Sequence, residues 1–322
     1  METKNIQEKC IKQIRGIDYD RLKISDYNRT YINNILPNIE YSFSMYSHSI
    51  SSLSTLTKDS LVVDFGGGHG FLSLFLKMLG YKTIYCDYNP LSAKTITLIK
   101  EQLGFGPDYI ITGSTSELKQ FCEEHQLTPT HLIATDLIEH VYDLSLFFHD
   151  LHEINPSFEM TFTTGSNPAN SYKCKQLEKY MKEDEKEFVE QRATYIRNNY
   201  PQLSSDEVKR LTKQTRGKIY SDIKKEVDQY LQTGSYLSSL EDSYNTCDPA
   251  TGNWTERILS FDTYKQLASK YGFKIEFAPG FYNEKRNNAL ISLLFQFINT
   301  FIRKGKRAAY SLAPYIVIKL HN

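Results

Sequence analysis

The chain has 322 residues, of which 38 are Lys or Arg and 38 are Asp or Glu, so its formal net charge at pH 7 is zero. That balance excludes a global electrostatic footprint for nucleic acid and disfavours an RNA or DNA partner, a local patch apart. Cys10, Cys86, Cys122, Cys174 and Cys247 are scattered without a CxxC pair or zinc-type spacing and read as reduced thiols, the first twenty residues lack an apolar leader segment, and no run is long enough to span a bilayer. A soluble cytoplasmic protein is therefore expected, either as two domains or, preferred here, as one core with a cap and an insertion.

Residues 1–57 are helix-leaning and rich in Tyr and Ser, and they close with the stretch from Tyr41 to His48 (YSFSMYSH). Leu61, Val62 and Val63 then form an apolar run with the composition of a buried parallel strand. It meets Asp64 and a loop in which Gly66, Gly67, Gly68 and Gly70 fill four of five positions. Glycines at such a corner permit a sharp turn and let a ligand lie against the backbone. Phe71 to Leu79 is apolar and helix-compatible and ends at Gly80, a plausible C-cap, so the unit reads strand, glycine loop, helix. The dinucleotide fingerprint has the same layout but wants glycine or alanine three places after its second glycine. Three on from Gly68 is Phe71, and pairing Gly67 with His69 fails at once, so NAD fits poorly. His69 reads as a steric and hydrogen-bonding element of the loop rather than a base.

Lys82 to Cys86 is strand-like and ends at Asp87, one helix and one strand beyond Asp64, the separation at which a carboxylate reaches ribose hydroxyls. Tyr109 to Thr112 reads as a third strand and is followed by Gly113, Ser114 and Thr115. His131 to Thr135 reads as a fourth, followed by Asp136-Leu137-Ile138-Glu139-His140-Val141.

The pattern Asp64-x-Gly66-x-Gly68-x-Gly70 resembles the first motif of class I S-adenosylmethionine (SAM) dependent methyltransferases. The segment from Asp136 to Val141 resembles the carboxylate-x-x-Glu-His-Val sequence after the fourth strand of small-molecule methyltransferases, including the ubiquinone-pathway O-methyltransferases. This resemblance implies an α/β, Rossmann-like seven-stranded sheet whose last strand is antiparallel, with SAM as cofactor. It assigns cofactor contacts to Asp64, Gly66, Gly68, Gly70, Asp136 and Leu137, ribose binding to Asp87, the adenosine surroundings to Tyr88 and the adenine to Ser114 and Thr115. It also implies that the N-terminal segment covers the cofactor and lends Tyr41, Tyr46 and His48 to an acceptor pocket, and that His140, supported by Glu139, is the general base. For each there is a plainer alternative: a tight strand-to-helix turn for the glycines, a surface acid for Asp87, helix capping and packing for Glu139 and His140, and helix packing for the N-terminal residues.

Asp136, Glu139 and His140 also lie within about one helical turn, and hard oxygen ligands suit Mg²⁺. Relatives with a similar Glu-His element, the small-RNA 2′-O-methyltransferases among them, use a divalent ion there. This chain has Asp136 where those enzymes have Glu, and His149 and His152 fall in the next helix, so no metal ligand set is assigned. A SAM-binding regulatory protein is a further alternative.

Phe158 to Thr163 reads as the fifth strand. From Lys173 to Leu231 the composition turns to Lys, Glu, Asp and Gln with spaced apolar residues, indicating several amphipathic helices. This divides the chain into a cap (1–57), a SAM-binding core (58–168), a helical insertion (169–258) and the remainder of the core (259–322). The insertion is either a lid over the strand carboxyl ends, a dimerisation arm, or a set of solvated helices. Its last loop carries Trp254, the only tryptophan, with Glu256 and Arg257. Trp254 and Arg257 are candidate acceptor-binding groups, an anchoring role for Trp254 being the alternative. Phe261 to Tyr271 reads as a helix, and Phe273 to Phe277 and Tyr315 to Leu320 match the sixth and seventh strands of the resembling family. Between these strands, Leu290 to Ile302 is strongly apolar and runs into the basic tail from Arg303 to Arg307. It either packs on the domain, forms a homodimer seam, or lies in a membrane interface. The expected acceptor is a hydroxyl of a small molecule (sugar, glycolipid precursor, phenol or natural product), among which the sequence does not choose.

Overall fold

The computed structural model describes residues 2–237, 242–285, 288–305 and 307–322. The elements follow in the order α1 (Glu2–Arg15), α2 (Asp26–Ile35), α3 (Ile39–Ser51), β1 (Leu61–Phe65), α4 (Phe71–Met78), β2 (Lys82–Asp87), α5 (Pro90–Leu103), β3 (Tyr109–Thr112), α6 (Thr115–Glu124), β4 (His131–Thr135), α7 (Leu144–Ile154) and β5 (Glu159–Thr164). They continue with α8 (Ser171–Asn199), α9 (Ser205–Gln214), α10 (Tyr220–Thr233), α11 (Phe261–Ser269), β6 (Lys274–Pro279), α12 (Ala289–Ile302), α13 (Arg307–Leu312) and β7 (Ile316–His321).

All seven strands form one sheet in the order β3-β2-β1-β4-β5-β7-β6. The first five pair in parallel, and β7 runs antiparallel to both its neighbours, β5 and β6. This is the Rossmann-like, class I methyltransferase arrangement. Its centre is dry on both faces, as the unalternating apolar strands require. Leu61, Val63 and Phe65 of β1 face a core shared with α6, α7 and α11, while Val62 faces the core shared with α1, α3, α4 and α5. The chain order reverses across β1 and β4, so their carboxyl ends flank the crevice where open α/β sheets bind ligands.

Two differences from the sequence reading bear on the site. The helix expected to start near Glu139 is only a 3-10 turn, Ile138–His140, and α7 begins at Leu144 with the Asp143 carboxylate accepting from the Leu146 N–H. Asp136 at φ +50° and extended Val141 interrupt helical geometry on either side of that turn. The expected amphipathic stretch resolves into α8, α9 and α10, which bury a small core of their own (Ile196, Tyr200, Val208, Leu211, Ile223, Val227). Fully buried Arg192 is balanced there by a two-pronged bond to Glu185, which also receives the Thr246 hydroxyl at 2.6 Å.

Candidate functional site

The loop after β1 takes its hydrogen bonds from residues near it in sequence. Gly66 turns at φ +69°, and a side chain there would run into Leu137; a side chain at Gly70, at φ +79°, would run into Ile96. Both positions therefore require glycine for packing as well as for conformation. The Gly66 N–H donates to the Cys86 carbonyl (2.8 Å), and the Gly68 N–H donates to Asp87 Oδ2 (2.8 Å). The Tyr85 hydroxyl donates to the Gly68 carbonyl at 2.7 Å, and the Asn89 N–H donates to Asp87 Oδ1 at 2.8 Å. Asp87 thus braces the loop through Oδ2 and its own turn through Oδ1, and still has lone pairs for a diol. Burial raises its pKa, against the pull of the two backbone N–H groups.

Asp64 shares its face of β1 with Val62 and accepts the Ser73 hydroxyl of α4 at 2.6 Å. Burial pushes its pKa up to about 7, with the Ser73 hydrogen bond opposing. His69 is buried against the rings of Phe71 and Tyr31, and its Nδ1 accepts the Phe71 N–H at 3.1 Å. Loss of hydration pushes it down to about 3, so its imidazole is neutral and holds the turn.

Across from the loop stands the N-terminal segment. Tyr31, Ile35, Tyr41, Met45 and Tyr46 face Asp64, Gly66, Gly67, His69 and Asp136 across a cleft of about 260 Å³. Tyr41 donates its hydroxyl to the Phe281 carbonyl at 2.7 Å, which ties this wall to the chain after β6. His48 sits outside the cleft lining, edge-on to Phe281, and its buried Nε2 has no hydrogen-bond partner among the described residues. Burial, and then Lys319, lower its pKa.

The loop after β4 closes the floor. Asp136 opens into the cleft while protein surrounds it on the other sides. This restricted hydration, followed by repulsion from Glu256, raises its pKa, with His140 and Lys173 opposing. Leu137 packs on Gly66. The Glu139 carboxyl turns into the protein, where Oε2 has no partner among the described residues. Burial and then Asp136 raise its pKa well above the carboxylate range. Among the described residues no hydrogen bond joins Glu139 to His140, because consecutive side chains of a 3-10 turn point about 120° apart.

His140 is held instead from the insertion. Its Nδ1 lies 2.7 Å from the Trp254 carbonyl oxygen, and the Trp254 N–H donates back to the His140 carbonyl at 3.3 Å. A carbonyl only accepts, so the hydrogen-bond network assigns the proton to Nδ1 and leaves the Nε2 lone pair available. The Arg257 N–H donates to the Glu139 carbonyl at 3.1 Å, and Trp254 Nε1 reaches the Tyr142 carbonyl at 3.3 Å. Trp254 stacks on Tyr142 (6.0 Å between centroids, 17° between planes), with the Arg257 guanidinium 4.3 Å above the indole. Glu256 accepts the Ser166 hydroxyl at 3.1 Å.

The sequence candidates therefore divide into groups. Asp64, Gly66, Asp136, Tyr41 and Tyr46 line one cleft, braced by Gly68, Gly70, Asp87 and Leu137. Trp254 and Arg257 line a different hollow of about 380 Å³, with Tyr142, Arg216, Lys218 and Asn245. Tyr88 is 78% exposed just beyond Asp87. Ser114 caps α6 in a reciprocal pair with Glu117, and the Thr115 hydroxyl is directed to Asp150 at 2.5 Å. Among the described residues no group of three or more His, Cys, Asp or Glu side chains is arranged to hold a metal ion. Tyr31, Ser73 and Tyr142 were not singled out from sequence. Tyr142 directly follows the Glu-His-Val segment and carried a positional signal, whereas Tyr31 had none.

No family model matches the chain, and no curated protein does. Among solved structures it is similar to a SAM-dependent methyltransferase from Archaeoglobus fulgidus, with 13% identity over 88% of this chain and 94% of that one and a TM-score of 0.41. It is also similar to phosphoethanolamine N-methyltransferase 2 of Haemonchus contortus in complex with SAM, with 11% identity over 87% of this chain and 52% of that one and a TM-score of 0.40. At such low values the fold assignment rests on the strand order, and the functional reading on the residues of the site.

Proposed function

We propose that this chain is a SAM-dependent methyltransferase acting on a hydroxyl oxygen of a small molecule. The observation that carries the reading is the acidic lining of the site: the carboxyl groups of Asp64, Asp87 and Asp136 surround the glycine loop, Asp64 near the midpoint of its ionisation at pH 7, and among the described residues no Lys or Arg lines the cleft. At an effective dielectric of about 20, unit charges about 6 Å apart interact by about 3 kcal/mol. The sign favours a cationic sulfonium and opposes a dinucleotide pyrophosphate. The Phe71 N–H at the start of α4, which a pyrophosphate would need, is already bonded to His69.

The donor set fits SAM. Asp87 offers acceptors to the ribose diol, and the shaved backbone at Gly66 to Gly68 lets the ligand lie close. SAM, when bound, supplies a methyl group on a positively charged sulfur, and transfer is an in-line displacement that depends on alignment and exclusion of water. The Tyr31, Tyr41 and Tyr46 wall serves that exclusion. His140 is four residues beyond the cleft-lining Asp136 and is not itself among the lining side chains; in this reading an acceptor that reaches it gives its hydroxyl proton to Nε2, and the Trp254 carbonyl stabilises the resulting imidazolium through Nδ1–H.

Isothermal titration against SAM, S-adenosylhomocysteine and NAD tests the cofactor. Saturable binding of the first two and none of NAD is expected; binding of NAD alone, or of none of the three, overturns the reading. Transfer of a labelled methyl group to a panel of sugars, phenols and lipid-linked alcohols then tests the acceptor class. SAM binding without any turnover across the panel would favour a regulatory SAM-binding protein.

A further inference from the structure

Helix α12 reverses the usual pattern of a surface helix. No charged residue occurs between Ala289 and Ile302, yet Leu290, Leu293, Leu294, Phe297 and Phe301 are all exposed, by 76, 61, 53, 62 and 45%. Spaced at i, i+3, i+4, i+7 and i+11, they make one continuous stripe along the outer face. The inward face is anchored by a polar residue: Asn299 is buried beside Ile302, donating to the Tyr282 carbonyl (2.9 Å) and accepting the Tyr282 N–H (2.8 Å), and Phe295 stacks on Tyr282. The sequence alternative in which the apolar side packs on the domain therefore does not hold for this stripe. A contiguous apolar face of this size on a folded chain marks an interaction surface.

The charges at its ends indicate what covers it. Residues 284–307 contain six basic residues (Lys285, Arg286, Arg303, Lys304, Lys306 and Arg307) against the single acid Glu284, in a chain with no net charge overall. Arg303 is paired with Glu284, and exposed Lys304 lies over the Phe301 ring at the end of the stripe; Arg286 and Lys306 lie outside the described residues. At fourteen residues the helix is about 21 Å long, short of the ~30 Å hydrocarbon core, and no helix among the described residues is long and apolar enough to cross a membrane. An uncharged helix with an exposed aliphatic and aromatic stripe, basic at both ends, has the form of an in-plane interfacial helix.

We propose that the outer face of α12 docks this chain on an anionic lipid surface, with Leu290, Leu293, Leu294, Phe297 and Phe301 entering the acyl boundary and the exposed Lys285 and Lys304 meeting the headgroups. This inference does not depend on the methyltransferase reading. The two are linked in space, because the segment carrying Tyr282 also provides the Phe281 carbonyl that receives Tyr41 at the cleft wall.

The full chain is sedimented with phosphatidylcholine vesicles, with and without phosphatidylglycerol, at low and high salt, and its mass in solution is followed by light scattering. Binding that requires phosphatidylglycerol and weakens with salt is expected. The double variant Leu293→Ser/Phe297→Ser loses binding, and Lys304→Ala weakens it about fivefold. All three side chains are exposed, so the variants keep the parent's unfolding midpoint and SAM titration; should the double variant misfold, Lys304→Ala alone still decides. Equal partition to both vesicle types, no partition to either, or a stable dimer broken by Leu293→Ser/Phe297→Ser without lipid binding overturns the proposal.

Discussion

The loops after β1 and β4 end neighbouring strands of one sheet, yet they are held in opposite ways. The hydrogen bonds that close the first lie within residues 64–89: Gly66 to Cys86, Gly68 to Asp87, Ser73 to Asp64 and Phe71 to His69. The second is held by chain more than a hundred residues distant, through one backbone and one imidazole bond between His140 and Trp254 and a single backbone bond from Arg257 to Glu139. A ligand-binding loop closed locally keeps its shape whatever the surrounding insertions do. A loop clamped from an insertion couples its chemistry to the insertion's position. In this fold, cofactor binding and the acid-base step should accordingly respond differently to mutation.

The sharpest separation comes from His140→Gln, which keeps a hydrogen-bonding side chain but removes the base. Turnover should fall by about 10² to 10⁴-fold, while the SAM dissociation constant measured by titration stays within about twofold of the parent. Equal losses in both would place His140 in cofactor binding and end the contrast.

Trp254→Ala attacks the clamp. Removing a buried indole that stacks on Tyr142 and carries Arg257 should cost about 3–5 kcal/mol in urea unfolding. In the variant that remains folded, turnover should drop while SAM binding persists. A parallel loss of SAM affinity would show that the Leu137 contact with Gly66 transmits the damage.

Asp87→Asn is the converse. It keeps an acceptor for the Gly68 N–H but removes charge, and SAM binding should weaken between about tenfold and a hundredfold, the value of charged hydrogen bonds. Fluorescence of Trp254, the single tryptophan, should stay unchanged, since the clamp and this brace share no hydrogen-bond or ring partner among the described residues.

The smallest effect concerns pH. Asp64 is held at about 7 in the fold against an ordinary value of 3.8, so the native state binds more protons than the unfolded chain between those values. Its contribution to stability is greatest at the acid end of that window, declines as pH rises to about 7 and is level above. Asp64→Asn should remove this decline, so the unfolding free energies of parent and variant should diverge, in the variant's favour, as pH rises through the window. Parallel curves would mean that the Ser73 hydrogen bond holds the carboxylate charged throughout.

Much of this molecule was legible before folding. The seven strands, the glycine loop and Asp87 all announce themselves through local patterns: apolar runs, glycine spacing and a carboxylate at a strand end. Local readings failed where position is set from afar. Nothing near Glu139 tells that its carboxyl is buried and that the Trp254 carbonyl, not the neighbouring acid, orients His140. Nor does the apolar run of α12 tell which face is outward, because an apolar helix reads alike whether its stripe is buried or exposed; buried Asn299 on the inward face decides it.

The sequence by itself determined the sheet and the loop closed by its own neighbours, because both depend on periodicity and on conformations that only certain residues adopt. Only the tertiary structure decided the tautomer of His140, the separation of the Trp254 hollow from the cofactor cleft and the exposed stripe of α12. Each of these follows from contacts between segments that meet only when the chain is folded.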